Sequence, residues 1–149
     1  MNILEIEQLF NSEDTLPLVL EETQETFSKI DDWSNAMKNN VTDNPEEAKK
    51  ALTELTGCYM DLYRVLAIAS TEKKNREQRY YGELKINTEN EGKKFVGTVA
   101  DKEASSYVAN YRRIRNIIEG YTNVCDKAIS SLQSLLKHMT EELKMERGQ

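Results

Sequence analysis

Apolar residues recur along this chain at steps of four and three, the repeat of one face of an α-helix, over three long stretches. In the first, Leu16, Leu20, Phe27, Ile30 and Met37 share a register, with Thr23 and Ser34 as polar breaks and Trp33 beside the row. Asp14 or Thr15 can cap its start, and Pro17 suits a first turn because a missing amide proton costs nothing there. The spacing predicts a helix over residues 14–39, preceded by a short helix or arm over residues 2–10.

The second stretch opens on Asn44-Pro45-Glu46-Glu47. Asn44 can accept the early amide protons, Pro45 has none to satisfy, and Glu47 lies three residues past the cap. From there Ala48, Leu52, Leu55, Tyr59, Leu62, Leu66 and Ala69 form a heptad row. The row continues as Lys73, Arg76 and Tyr80, so one helical face turns from apolar to basic and aromatic. The predicted helix covers residues 45–84. Residues 85–97 hold two of the six glycines and read as a loop, with a small hairpin around Ile86 and Phe95-Val96 as one option.

The third stretch is the longest. Ala100, Ala104, Tyr107, Tyr111, Ile114, Ile118, Tyr121, Cys125, Ala128, Leu132, Leu135 and Met139 step by four and three without a gap. Thr98 with Asp101 reads as a capping box. A helix over residues 98–145 would be about 70 Å long at 1.5 Å per residue. Such a rod must pack on the second helix and on further surface, and Gly120 within it marks a bend or a close backbone approach. The pattern therefore predicts an all-α protein, one helical domain over residues 1–149. An acidic N-terminal helix and arm (1–44) would precede a long antiparallel helical hairpin (45–149) with coiled-coil-like seams. Tyr107, Tyr111, Ile114, Ile118, Tyr121, Leu132 and Leu135 are the expected seam of a homo-oligomer.

Composition narrows the chemistry. The apolar share is 38% and the charged share 31%, low and high for a compact globule, which favours an elongated or oligomeric form. No window approaches the roughly 18 apolar residues of a membrane span, and MNILEIEQLF lacks the basic start of a signal peptide. Two prolines and six glycines argue against a sandwich or barrel. One histidine, His138, and two cysteines, Cys58 and Cys125, exclude most zinc and haem designs, so no metal or cofactor is expected. No phosphate-binding glycine loop, GxSxG or HExxH occurs, so the chain does not read as an enzyme.

Charge is uneven. Residues 1–70 carry 14 acids and 5 bases; residues 71–149 carry 12 acids and 15 bases. Either the acidic part neutralises the basic part internally, or each faces a partner. In a hairpin, the end of the second helix meets the start of the third. Lys73, Lys74, Arg76, Arg79, Tyr80, Tyr81, Lys93, Lys94, Arg112, Arg113 and Arg115 would then gather at one end. Cations for phosphates and aromatic faces for bases are what a single strand of DNA requires. The alternative is a solvated charged tip, since Glu72, Glu77 and Glu83 dilute the patch.

At Tyr80-Tyr81-Gly82, reached from a Lys/Arg-rich helix that holds Lys74-x-Arg76, the chain resembles the UvsY-like recombination mediators of phages. A polar Gly/Lys loop follows, then Ala100-Asp101-Lys102 opens an aromatic-rich helix that contains Cys125-x-x-Ala128. The likeness covers residues 48–145, with the basic pair one residue farther from the tyrosines than in that family. It implies a ring-forming, non-catalytic helical protein in the bacterial host cytoplasm. Such a protein binds single-stranded DNA and contacts a RecA-like recombinase and a single-strand binding protein. A different class also fits the acidic first half: a non-enzymatic helical adaptor or phage-encoded inhibitor that binds a host protein.

Overall fold

A computed structural model describes residues 1–148 and is all-α, with no strand among the described residues. Its elements are α1 (Ile3–Leu9), α2 (Pro17–Lys38), a 3₁₀ turn (Val41–Asp43), α3 (Pro45–Asn90), α4 (Gly97–Tyr107) and α5 (Ala109–Arg147). Among the described residues, no helix is long and apolar enough to cross a membrane. Contacts divide the chain into two units. The first holds residues 22–64 and 119–148, and the second holds residues 2–21 and 65–118.

Local signals account for most helix starts. Asn2 Oδ1 accepts the amide protons of Leu4 and Glu5 and starts α1. Pro17 is the first residue of α2. Asn44 Oδ1 accepts from the Glu47 amide at 2.9 Å, and Pro45 opens α3 as expected. Thr15 does something other than cap: its hydroxyl donates to the carbonyls of Leu9 and Ser12, tying the end of α1 to the turn before α2.

In the first unit, Phe27, Ile30, Ala48, Ala51, Leu55, Cys58, Leu62, Cys125 and Leu132 are buried. Phe27 stacks on Tyr121 with ring centres 4.1 Å apart, and the Tyr121 hydroxyl donates to Asp31 at 3.0 Å. The Cys125 thiol donates to the Leu55 carbonyl at 3.0 Å, which joins α5 to α3. On α3 the row the sequence suggests is buried at Ala48, Leu55, Leu62 and Ala69, while its alternate positions shift by one residue. Ala51, Cys58 and Val65 are buried, while Leu52, Tyr59 and Leu66 flank them half-buried. Thr23 is a buried member of the α2 face, not a break in it.

The second unit packs α1, the start of α2, the later half of α3, α4 and the first turns of α5. Its core is Ile6, Phe10, Leu16, Val19, Val65, Ala69, Ala100, Ala104, Val108, Tyr111, Ile114 and Ile118. Arg115 bonds Ser70, Arg76 covers Tyr111, and Tyr80 stacks on Tyr107. One number rises as the other falls, so α3 runs antiparallel to α4 and α5 within this unit.

Four expectations change here. The second helix extends to Asn90, so the loop shrinks to residues 91–96 and forms no hairpin; Gly92 turns it with φ +71°. The cap of α4 is Val96 without a side-chain hydrogen bond, so Thr98 and Asp101 form no capping box. The third rod is two helices, broken at Val108. The break falls just past Ser105-Ser106, where the Arg112 guanidinium donates to the Ser105 carbonyl and hydroxyl at 2.7 and 2.6 Å. That closes a carbonyl the helix end leaves open. Gly120 is neither a break nor a close approach: it lies inside α5, and a Cβ there would meet nothing within 4 Å.

Candidate nucleic-acid interface

The break at Val108 decides which aromatic side chains reach solvent. Ala104 can be followed on the buried face by residue 107 or 108, three or four positions on. Val108 takes the place and is fully buried. Tyr107 is thereby turned out, 51% exposed, and lies flat on Tyr80 with centroids 4.2 Å apart and planes 8° from parallel. Expected as part of a buried seam, Tyr107 instead forms an open stacked pair with Tyr80. Lys102, Glu103 and Ser106 line the surface depression beside it.

The eleven basic and aromatic candidates separate into two groups. Arg76, Arg112 and Arg115 are internal ties. Arg76 Nη2 donates to the carbonyls of Phe10 at 2.9 Å and Asn11 at 2.8 Å, and its guanidinium carbon lies 4.5 Å from the Tyr111 ring centre. Its Nε is buried without a hydrogen-bond acceptor and faces Glu72 at 3.6 Å. Arg112 closes the end of α4, and Arg115 donates to Ser70 at 3.2 Å and Asn116 at 3.1 Å. These contacts tie the three guanidinium groups to the fold. Lys73 is paired with Glu77 at 3.0 Å and partly buried.

The remaining cations face solvent, while Tyr80 and Tyr81 are half-buried. Lys74, Arg79, Lys94 and Arg113 are exposed, and their side chains make no ion pair among the described residues. Lys93 is exposed and bridges Glu91 at 3.2 Å, a contact of small worth on an open surface. Tyr81 meets Phe95 edge to face at 5.5 Å. Lys85 lies on α3, not in the loop, 6.0 Å from the Phe95 ring centre. Lys102, beside the stacked tyrosines, is a cation that the row spacing did not single out.

The expected oligomer seam is mostly consumed within the chain. Tyr111, Ile114, Ile118 and Leu132 are buried, and Tyr121 and Leu135 are half-buried. Burial pushes the Tyr111 hydroxyl above its ordinary range, opposed by the nearby Arg76 charge. It donates to the Phe10 carbonyl at 3.2 Å, so both Tyr111 and Arg76 hold the end of α1. The acidic stretch contributes here too: Glu13 accepts from the Asn110 amide at 2.6 Å. Comparison with family models, curated proteins and solved structures returns no match.

Proposed function

We propose that this chain is a non-enzymatic accessory protein of the recombination-mediator kind, which binds single-stranded DNA through the second unit. The observation that supports it most is the stack of exposed Tyr107 on half-buried Tyr80 beside Lys102, with Arg79 next to Tyr80 in the sequence of α3. A base can stack on the open side of an aromatic pair, and nearby cations hold the phosphates on either side. The pair is prestacked, so little ordering entropy is lost when a base joins it. Repetition around a homo-oligomeric ring would turn a weak patch into a multivalent one. In that role the protein would hold a strand in the bacterial host cytoplasm while a RecA-like recombinase replaces a single-strand binding protein.

The internal use of Arg76, Arg112 and Arg115 favours a second reading, an acidic adaptor or phage-encoded inhibitor that binds a basic host protein. Titration of labelled single-stranded DNA at low and moderate salt separates the two. Salt-sensitive binding at micromolar or tighter affinity, weakened about tenfold by Tyr107→Ala, supports the first. Absence of binding at low salt overturns it and leaves the adaptor.

A further inference from the structure

A groove of about 340 Å3 lies between α3 and α4, lined by Lys74, Glu77, Gln78, Tyr81, Asp101 and Ala104. It differs in kind from the open stack at Tyr80. Ala104 is buried and apolar, and Tyr81 adds an aromatic wall. Glu77 is already paired with Lys73. The side chains of Lys74, Gln78 and Asp101 form no hydrogen bond or ion pair among the described residues. The groove thus offers one ammonium, one amide and one carboxylate, all unspent, over apolar and aromatic surface.

We propose that this groove is a base subsite for guanine in a single DNA strand. The inference rests on the single-strand reading above and adds to it a preference among bases. An ionised carboxylate only accepts hydrogen bonds, and it accepts two side by side. Guanine alone presents two adjacent donors on its pairing edge, the N1 imino and N2 amino groups, and these match the two oxygens of Asp101. Its O6 is an acceptor for the Lys74 ammonium or the Gln78 amide. Thymine shows a single N–H flanked by two carbonyls, which the carboxylate repels. Adenine and cytosine each show an amino group next to an acceptor nitrogen. Lys74 also offsets the repulsion between Asp101 and the strand's phosphates.

The test uses the full chain and three labelled strands: a thymidine homopolymer, the same strand with isolated deoxyguanosines, and the same with deoxyinosines, which lack the N2 amino group. The proposal predicts about tenfold tighter binding of the guanosine strand than of the homopolymer, the scale of one bidentate base contact. Inosine should lose most of that gain, and Asp101→Asn should bring the guanosine-to-thymidine ratio to about one. Asp101 is exposed on α4, past its first turn, so the variant keeps the fold. Equal binding of the guanosine and thymidine strands overturns the guanine subsite and leaves single-strand binding standing. So does a preference that survives Asp101→Asn, or inosine binding as tightly as guanosine. No binding of any strand at low salt overturns the single-strand reading itself, and the subsite with it.

Discussion

Arg76 lies with its guanidinium 4.5 Å from the centre of the Tyr111 ring, and both side chains donate to the same carbonyl, that of Phe10. A cation and a phenol from different helices thereby fasten the end of α1 to the second unit. Hydrogen bonds from a charged donor contribute about 1.5–3 kcal/mol each, and removing Arg76 leaves the Phe10 carbonyl with the Tyr111 hydroxyl as its remaining side-chain donor.

Arg76→Ala should accordingly lower stability by about 3 kcal/mol, read as a fall in the urea midpoint. Arg76→Lys should recover only part, because an ammonium has no fork to span two carbonyls. Arg79→Ala, on the exposed side of the same helix, should change stability by less than about 0.5 kcal/mol. Equal losses for Arg76 and Arg79 would contradict the division between internal ties and free cations.

The same division sets the salt dependence of strand binding. Each phosphate contact on a single strand contributes about 0.7 to the slope of log affinity against log salt. Arg79→Ala and Lys102→Ala should each reduce that slope by about this amount. Arg112→Ala and Arg115→Ala, which loosen the fold, should leave it unchanged for the folded fraction.

Burial pushes the Cys125 thiol up to about 12 from an ordinary 9.0, with the neighbouring Cys58 adding to the shift. Burial raises Cys58 as well. A raised folded-state value means that the native protein binds protons more tightly than the unfolded chain. The contribution is complete below pH 9.0 and is lost as pH climbs toward about 12. Thermal midpoints should therefore fall through this alkaline window, less steeply in Cys125→Ala once its lower starting stability is subtracted. At neutral pH, iodoacetamide should leave both thiols unmodified in the folded protein and react with both in urea.

Gly120 offers a test of the α5 packing. It is exposed inside the helix, with open space where a Cβ would stand. Gly120→Ala should stabilise the protein by about 1 kcal/mol through helix propensity. Destabilisation would mean that another surface approaches this point.

Much of the fold was legible because its signals are local. The Asn44-Pro45 start of α3 and the position of Pro17 depend on neighbours three or four residues away, and the four-three spacing marks every long helix. What the pattern missed depends on choices between adjacent residues. Tyr107 and Val108 fit the spacing equally, and only packing chose Val108. On α3 the small residues Ala51 and Cys58 face inward where Leu52 and Tyr59 carried the stronger apolar signal. The cations were found as a group, but their division was not visible. Arg76 continues the row and Arg79 does not, but the acceptors of Arg76 lie at the end of a helix 65 or 66 residues away.

The most direct test of strand binding is photocrosslinking of the full chain to a single DNA strand carrying 5-iodouracil, followed by peptide mapping. A halogenated base stacked on an aromatic ring crosslinks to that ring. The account predicts crosslinks at Tyr107 or Tyr80, lost in Tyr107→Ala and suppressed by salt. Crosslinks confined to Trp33 or Tyr59 of the first unit, or none under conditions where the strand is bound, would contradict it.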